Sequence, residues 1–102
     1  MAEFQAVASA DDVGDGEMAR FKLADATVAV ANVSGRFFAF DDVCTHRGCS
    51  LSKGDLEGVT VVCPCHGGQY DLASGTVLAG PPPLPVNVYP VRVVDGRLEI
   101  QI

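Results

Sequence analysis

The cysteines and histidines of this chain are concentrated between positions 44 and 66, and this window constrains the fold more than any other feature. They are Cys44, His46, Cys49, Cys63, Cys65 and His66. Thiolates and imidazoles bind transition metals such as zinc and iron, and thiols in a reducing cytosol point to a metal before a disulfide framework. We therefore expect residues 44–49 and 63–66 to meet at one metal site.

The sequence on both sides of the window alternates apolar and polar residues, which is typical of half-buried β-strands. "TVAVANV" and "RFFAF" flank Ser34-Gly35, and "VNVYPVRVV" and "RLEIQI" flank Asp95-Gly96, so two tight hairpins are expected. Pro90 cannot donate a ladder hydrogen bond, which places it at a sheet edge or a bulge. Because helical periodicity is absent, the pattern predicts an all-β fold, an antiparallel sandwich or a small barrel.

The length of 102 residues predicts a single domain spanning residues 1–102. Residues 43–85 differ from the strands around them, since they hold the ligand window and then "SGTVLAGPPPLPV". Four prolines in that stretch exclude a central strand and indicate a stiff loop; they are Pro81, Pro82, Pro83 and Pro85. We expect residues 43–85 to form an insertion of loops and short strands that carries the site.

Charge and hydropathy exclude two classes of partner, nucleic acids and membranes. Seven Lys and Arg against thirteen Asp and Glu give a net charge of −6, whereas sequence-independent nucleic-acid binding needs a basic face. An acidic surface suits a partner with a basic docking patch. The alternative is that the negative charge only keeps the protein soluble. Asp41 and Asp42 lie where a partner approaching the site can touch them. Neither an apolar run of ~18 residues nor an export signal is present, so we expect a soluble cytoplasmic protein.

The spacing of the ligands divides them into two loops, each with one thiolate and one imidazole. Cys44-x-His46 and Cys63-x-x-His66 are separated by sixteen residues. Two cysteines and two histidines complete a tetrahedral zinc site, although that leaves the other two cysteines unused. A binuclear iron–sulfur cluster, with two cysteines on one iron and two histidines on the other, explains the alternation better.

"CTHRGC", "CPCHGGQYD" and "SGTVLAGPPPLPV" together resemble the Rieske [2Fe-2S] family over residues 44–86. The resemblance implies the Rieske fold and one cluster per chain. It further implies that Cys44 and Cys63 bind the inner iron, and that His46 and His66 bind the outer iron. The implied function is that of a soluble Rieske-type ferredoxin, which passes single electrons from a flavoprotein reductase to a terminal oxygenase acting on an aromatic substrate.

Two features place the chain near the quinol-oxidising, higher-potential members of that family. Cys49 and Cys65 resemble the pair that joins the two cluster loops by a disulfide there, with two buried free thiols as the alternative. Tyr70 resembles a tyrosine whose hydroxyl donates to a ligand cysteine sulfur. Gly68 departs from that type, which has a serine donor at this position. This mosaic predicts an intermediate reduction potential.

Several small or rigid residues of the ligand loops are expected to shape the site around the cluster. Gly48, Gly67 and Gly68 allow the backbone to approach the cluster sulfides with its N–H groups. Pro64 restricts the conformations of the second loop. These residues hold the site and have no chemistry of their own.

A catalytic site is excluded by counting, because the two histidines of the chain are both assigned to the cluster. A Rieske oxygenase needs a second, mononuclear iron with further histidine ligands, and no histidine is left as a general base. The chain is therefore expected to carry electrons between other proteins. Two alternatives stay open: a small Rieske subunit of a larger oxidoreductase, such as a nitrite or arsenite enzyme, and a zinc-stabilised binding module.

Overall fold

The computed structural model describes residues 4–23, 26–45, 48–65, 67–80 and 84–101. Two of the expected iron ligands, His46 and His66, lie outside these ranges, as do Pro81, Pro82 and Pro83 of the expected stiff loop. No helix in the described part of the chain has the length and hydropathy that crossing a membrane requires.

The described residues form eleven β-strands and two single-turn 3₁₀ segments, with no α-helix among them. The strands are β1 (Phe4–Ser9), β2 (Met18–Leu23), β3 (Ala26–Val33), β4 (Arg36–Asp41), β5 (Asp55–Glu57), β6 (Thr60–Val62), β7 (Gln69–Asp71), β8 (Val77–Ala79), β9 (Val88–Tyr89), β10 (Val91–Val94) and β11 (Arg97–Gln101). The 3₁₀ segments are Ala10–Asp12 and Leu51–Lys53. The all-β prediction is confirmed.

The strands form three antiparallel sheets with the orders β1-β11-β10, β2-β3-β4-β9 and β5-β6-β7-β8. The first two sheets form the base of the molecule. The third lies within residues 43–85, the segment that the sequence marks as an insertion. We retain as predictions that this segment is the cluster-binding subdomain and that residues 1–102 form one domain.

Both predicted hairpins are present, and their turns have the backbone geometry that the sequence implies. Ser34 and Gly35 connect β3 to β4 with φ of 52° and 89°, and Asp95 and Gly96 connect β10 to β11 with φ of 51° and 77°. Positive φ at both central residues defines the type I′ turn, whose twist matches that of the flanking strands. These two turns fix the register of the base sheets.

Pro90 marks a boundary that the sequence pattern did not resolve. The segment "VNVYPVRVV" is not one strand with an edge proline. Its first part, β9, pairs with β4, whereas its second part, β10, pairs with β11 in the other base sheet. Pro90 lies at the switch, where its carbonyl accepts a hydrogen bond from the Gln101 N–H at 3.0 Å. A residue without an N–H is tolerated there because no ladder bond is required of it.

The sheet β2-β3-β4-β9 is the middle layer, and its strand β3 is buried on both faces. On one side it contacts the base core, which comprises Val13, Val28, Val30, Ala39, Leu98 and Ile100. On the other side it contacts the core below the ligand loops, which comprises Ala29, Ala31, Phe40, Cys44, Leu51, Val61, Cys63, Tyr70, Leu72 and Val86. Alternate residues of β3 serve the two cores, so the ligand loops are packed directly onto the rigid base.

Tyr89 ties β9 to the end of β4, because its hydroxyl donates to Asp41 Oδ1 at 2.5 Å. Burial, and then this hydrogen bond to a carboxylate, raises the pKa of Tyr89 to about 12. The only other tyrosine in the sequence, Tyr70, also has a raised pKa, chiefly through burial. The hydroxyl form is therefore favoured in the folded state at both positions.

We expect the folded protein to lose stability as the pH rises from about 10, where unfolded tyrosine ionises, through the raised pKa of Tyr89 at about 12. The sign follows from proton counting, since the unfolded chain binds fewer protons than the folded chain in this window. An ultraviolet titration of tyrosinate absorbance checks this, with the denatured chain as the reference. Coincident titrations of folded and denatured protein would contradict it, and Tyr89→Phe should remove one of the two late-ionising groups.

Candidate metal centre

The first ligand loop, residues 44–49, closes back on its leading cysteine through two backbone hydrogen bonds. The Cys44 N–H donates to the Cys49 carbonyl at 2.8 Å, and the Gly48 N–H donates to the Cys44 carbonyl at 2.8 Å. Gly48 has a φ of 72°, which side chains with a Cβ rarely adopt. Val43 and Ser50 form an antiparallel bridge at the base of the loop.

The second ligand loop, residues 63–68, repeats this arrangement position for position. The Cys63 N–H donates to the Gly68 carbonyl at 2.7 Å, and the Gly67 N–H donates to the Cys63 carbonyl at 3.1 Å. Gly67 has a φ of 71°, which matches the glycine at the same place in the first loop. The similarity of the two loops in sequence is thus a similarity of backbone structure, and Cys44 and Cys63 occupy equivalent positions.

The sulfurs of the two loops lie where a buried group can use them. Cys44 and Cys63 are each 3% exposed and neither is in a disulfide. Cys49 and Cys65 are joined by a disulfide that links the loops, with their Cα atoms 6.5 Å apart. The Cys63 sulfur lies within 4.8 Å of both disulfide sulfurs. Two buried thiols on matched, braced loops suit a cofactor that takes one thiolate from each loop, and the site can therefore hold an iron–sulfur cluster.

Tyr70 is fully buried beside the first ligand loop, and its hydroxyl lies 3.4 Å from Cys44 Sγ. The hydroxyl oxygen accepts from the Thr45 N–H at 3.1 Å and lies 2.9 Å from Thr45 Oγ1. Thr45 Oγ1 donates its own hydrogen to the Leu84 carbonyl at 2.7 Å. The Tyr70 hydrogen is therefore directed to the threonine oxygen or the cysteine sulfur, both of which accept it.

We expect Tyr70→Phe to lower the reduction potential of the cluster-loaded protein by about 40 mV. A hydrogen bond to the sulfur stabilises the added negative charge by about 1 kcal/mol, and about 59 mV corresponds to a tenfold change for one electron. Protein-film voltammetry of the variant and the parent measures the difference. Tyr89→Phe is the matched control, because the Tyr89 hydroxyl contacts Asp41; it should leave the potential nearly unchanged. Equal potentials for Tyr70→Phe and the parent would mean that Tyr70 only packs.

The second loop is packed closely against Gly80, the residue directly after β8. A Cβ added at Gly80, which has a φ of 92°, would lie 2.7 Å from the Gly68 Cα. Gly68 therefore lies under the neighbouring backbone as well as in the ligand loop, a packing role that the sequence did not reveal. Pro64 is exposed, and its Cδ lies 3.1 Å from the position of a Cβ built at Gly54. The glycines at positions 54, 68 and 80 allow the second ligand loop and its neighbouring segments to approach one another closely.

Asp42 was not recognised from the sequence as part of the site's support. It is 1% exposed, so it is not available to a docking partner as its position in the sequence suggested. Its carboxylate accepts from Ser50 Oγ at 2.6 Å and from the Ser52 N–H at 2.7 Å. Arg20 Nη1 lies 4.0 Å away. Asp42 thereby ties the chain before the first ligand loop to the chain after it. No sequence motif indicates this role.

Comparison with known proteins gives a consistent family. The model of the Rieske [2Fe-2S] domain matches residues 3–90. The biphenyl dioxygenase ferredoxin subunit of Pseudomonas sp. (strain KKS102) is 41% identical over 95 residues, which covers 92% of this chain and 86% of that protein. The cytochrome b6-f complex iron-sulfur subunit of Chlorobaculum tepidum is 37% identical over 97 residues, covering 95% of this chain but 52% of that protein.

Solved structures give the same result for the fold. A ferredoxin of Sphingomonas yanoikuyae B1 superimposes with a TM-score of 0.91 at 34% identity, covering 98% of this chain and 99% of that one. A chain of a complex of reduced oxygenase and oxidized ferredoxin in carbazole 1,9a-dioxygenase gives 0.89 at 33% identity, with 96% and 92% covered. This chain therefore has the same fold as these proteins.

Proposed function

The chain belongs to the Rieske [2Fe-2S] domain family, and on that premise we propose that it is the ferredoxin component of an aromatic-ring dioxygenase system. The family implies a Rieske-type cluster, which when bound takes up and releases one electron at a time. The observation that carries the proposal is the pair of matched loops, each with a buried cysteine at its start. Relatives similar over nearly their whole length are named as ferredoxin components of such systems.

We assign one cluster per chain and four ligands to it. Cys44 and Cys63 hold the inner iron, which agrees with their burial at 3% exposure. His46 and His66 hold the outer iron, as the resemblance of "CTHRGC" and "CPCHGG" to the family implies. With both histidines used as ligands, the chain has no further imidazole for catalysis, and it serves as a carrier for reactions that other proteins catalyse.

The chain's own residues set the conditions for electron transfer. The disulfide and the backbone hydrogen bonds hold the ligand loops in place. The loops therefore rearrange little when the charge of the site changes. The Tyr70 hydroxyl lies at the sulfur of Cys44, where negative charge increases on reduction. Burial of Cys44 and Cys63 against Leu51 excludes water from the inner side of the site.

Donor and acceptor are then other redox proteins. We assign a flavoprotein reductase as the donor and a terminal oxygenase as the acceptor, in the cytoplasm. A related chain in the carbazole 1,9a-dioxygenase complex is found with an oxygenase, which supports the second assignment. The net charge of −6 suits basic docking surfaces on both partners.

A second candidate is a small subunit of a larger oxidoreductase that operates at a higher potential. Two observations favour it: the Cys49–Cys65 disulfide and the contact of Tyr70 with Cys44 Sγ. Both resemble the quinol-oxidising members, and the cytochrome b6-f subunit is among the relatives. Because the chain spans about half of that relative, the similarity covers the cluster domain and not the assembly.

One experiment separates these functions: iron and sulfide analysis of the purified protein, followed by voltammetry. A zinc-containing, colourless protein without a one-electron wave would overturn the proposal of a ferredoxin. A wave at about −100 mV or lower, near the bottom of the Rieske range, supports an oxygenase ferredoxin. A wave clearly above zero would favour the larger oxidoreductase instead.

A further inference from the structure

Three cysteine sulfurs are grouped at the second ligand loop, and only one of them is used by the proposed inner iron. The sulfurs of Cys49, Cys63 and Cys65 all lie within 4.8 Å of one another. Cys49 and Cys65 form the disulfide, and Cys63 is the buried thiol beside it. Cys44, the equivalent thiol of the first loop, is not a member of this group among the described residues and contacts the Tyr70 hydroxyl instead.

A thiolate close to a disulfide can displace one of its sulfurs without any added reagent. We propose that in the cluster-free chain Cys63 attacks the Cys49–Cys65 disulfide and captures Cys49. We rest this inference on the proposed role of Cys63 as an iron ligand. In the loaded protein the iron holds that sulfur, so the exchange is confined to the chain before the cluster enters or after it is lost.

The step is balanced within the chain. The Cys63 thiolate forms a bond to Cys49 Sγ, the bond between Cys49 and Cys65 breaks, and its electron pair leaves on Cys65. Cys65 then takes up the proton that Cys63 released. One disulfide and two thiols are present before and after, with Cys44 as the second thiol, so no oxidant or reductant is consumed.

Attack at Cys49 is favoured over attack at Cys65 by the connectivity of the second loop. A Cys63–Cys65 disulfide would close a small ring through a single residue, Pro64, whose φ is fixed by its own ring. A Cys49–Cys63 disulfide closes a longer loop and still ties the two ligand loops together. It also removes one of the two inner-iron thiolates, so the exchanged chain cannot accept a cluster until the original disulfide is restored.

The exchange is tested by locating the thiols in the full chain with and without its cluster. The purified protein is divided under anaerobic conditions, and one half is treated with an iron chelator. Both halves are quenched in acid and unfolded, their thiols are alkylated, and peptide fragmentation in a mass spectrometer assigns the label to Cys63 or Cys65. We expect label on Cys65 to rise about tenfold or more after iron removal, with a Cys49–Cys63 link in the same sample.

The other possible outcomes each contradict a named part of the proposal. An unchanged Cys49–Cys65 link with the label on Cys63 after iron removal would overturn the exchange. A Cys63–Cys65 link would overturn the assignment of Cys49 as the captured sulfur. Cys63→Ser is the matched variant for the cluster-free state, because it lacks both the attacking thiol and one proposed inner-iron ligand, and it should keep the Cys49–Cys65 disulfide. Iron and sulfide analysis before chelation tests the ferredoxin proposal separately. A chain purified with zinc would contradict that proposal, but the position of the thiol label would still show whether the exchange occurs.

Discussion

Replacing Asp42 with alanine is expected to lower the free energy of unfolding by about 3 kcal/mol, because two hydrogen bonds to a buried carboxylate are lost. The donors that lose the carboxylate are Ser50 Oγ and the Ser52 N–H, at 2.6 and 2.7 Å from it; Ser50 Oγ keeps a contact with Ser52 Oγ at 3.0 Å. In a domain of this size the change corresponds to a fall of roughly 10–20 °C in the unfolding midpoint. The cluster-loaded variant and parent should be compared at one scan rate, since cofactor loss makes unfolding irreversible.

Asp42→Asn is the matched control because it keeps the shape and removes the charge. The amide oxygen can still accept from the Ser52 N–H, and the amide nitrogen can donate to Ser50 Oγ once that hydroxyl turns. We expect this variant to lose about 1 kcal/mol or less. The ion pair with Arg20 contributes little, since its atoms are 4.0 Å apart and the arginine side chain is 52% exposed. Equal losses for the two variants would show that Asp42 acts through its charge and not through its hydrogen bonds.

The parts of the fold that depend on neighbouring residues in the chain could be predicted from the sequence. The Ser34-Gly35 and Asp95-Gly96 turns were identifiable because a type I′ turn requires positive φ at two consecutive residues. The two ligand loops were identifiable because each has a cysteine and a histidine at short spacing. Their equivalent backbone hydrogen bonds involve a glycine with positive φ four residues after each leading cysteine, Gly48 and Gly67.

Features that depend on distant residues were beyond the sequence pattern. The split of "VNVYPVRVV" into β9 and β10 depends on which sheet each half can pair with, and alternation is the same in either case. The role of Asp42 depends on Ser50 and Ser52 being folded back over it. A pair of acidic residues before a ligand loop is as consistent with an exposed surface as with a buried support, so only the three-dimensional packing distinguishes them.

The disulfide between Cys49 and Cys65 is expected to contribute about 3 kcal/mol to stability, since it closes a loop of about 15 residues in the chain-entropy model. The sequence separation of the two cysteines is 16. Replacing both cysteines with serine should therefore lower the unfolding midpoint of the loaded protein by roughly 10 °C or more. Iron release to a chelator should also be faster, because the disulfide is the covalent link between the two ligand loops.

A reducing agent supplies the control that separates the lost bond from the changed side chains. A dithiol added to the parent should reproduce the lower midpoint, and it should have no further effect on the Cys49→Ser, Cys65→Ser variant. If the variant instead unfolds at the parent's midpoint, the bond does not constrain the loops, and the hydrogen bonds of Cys44 and Cys63 with their own loops hold the site alone. The variant also lacks the disulfide that Cys63 would attack, so label should stay on Cys63 after iron removal, whatever its stability.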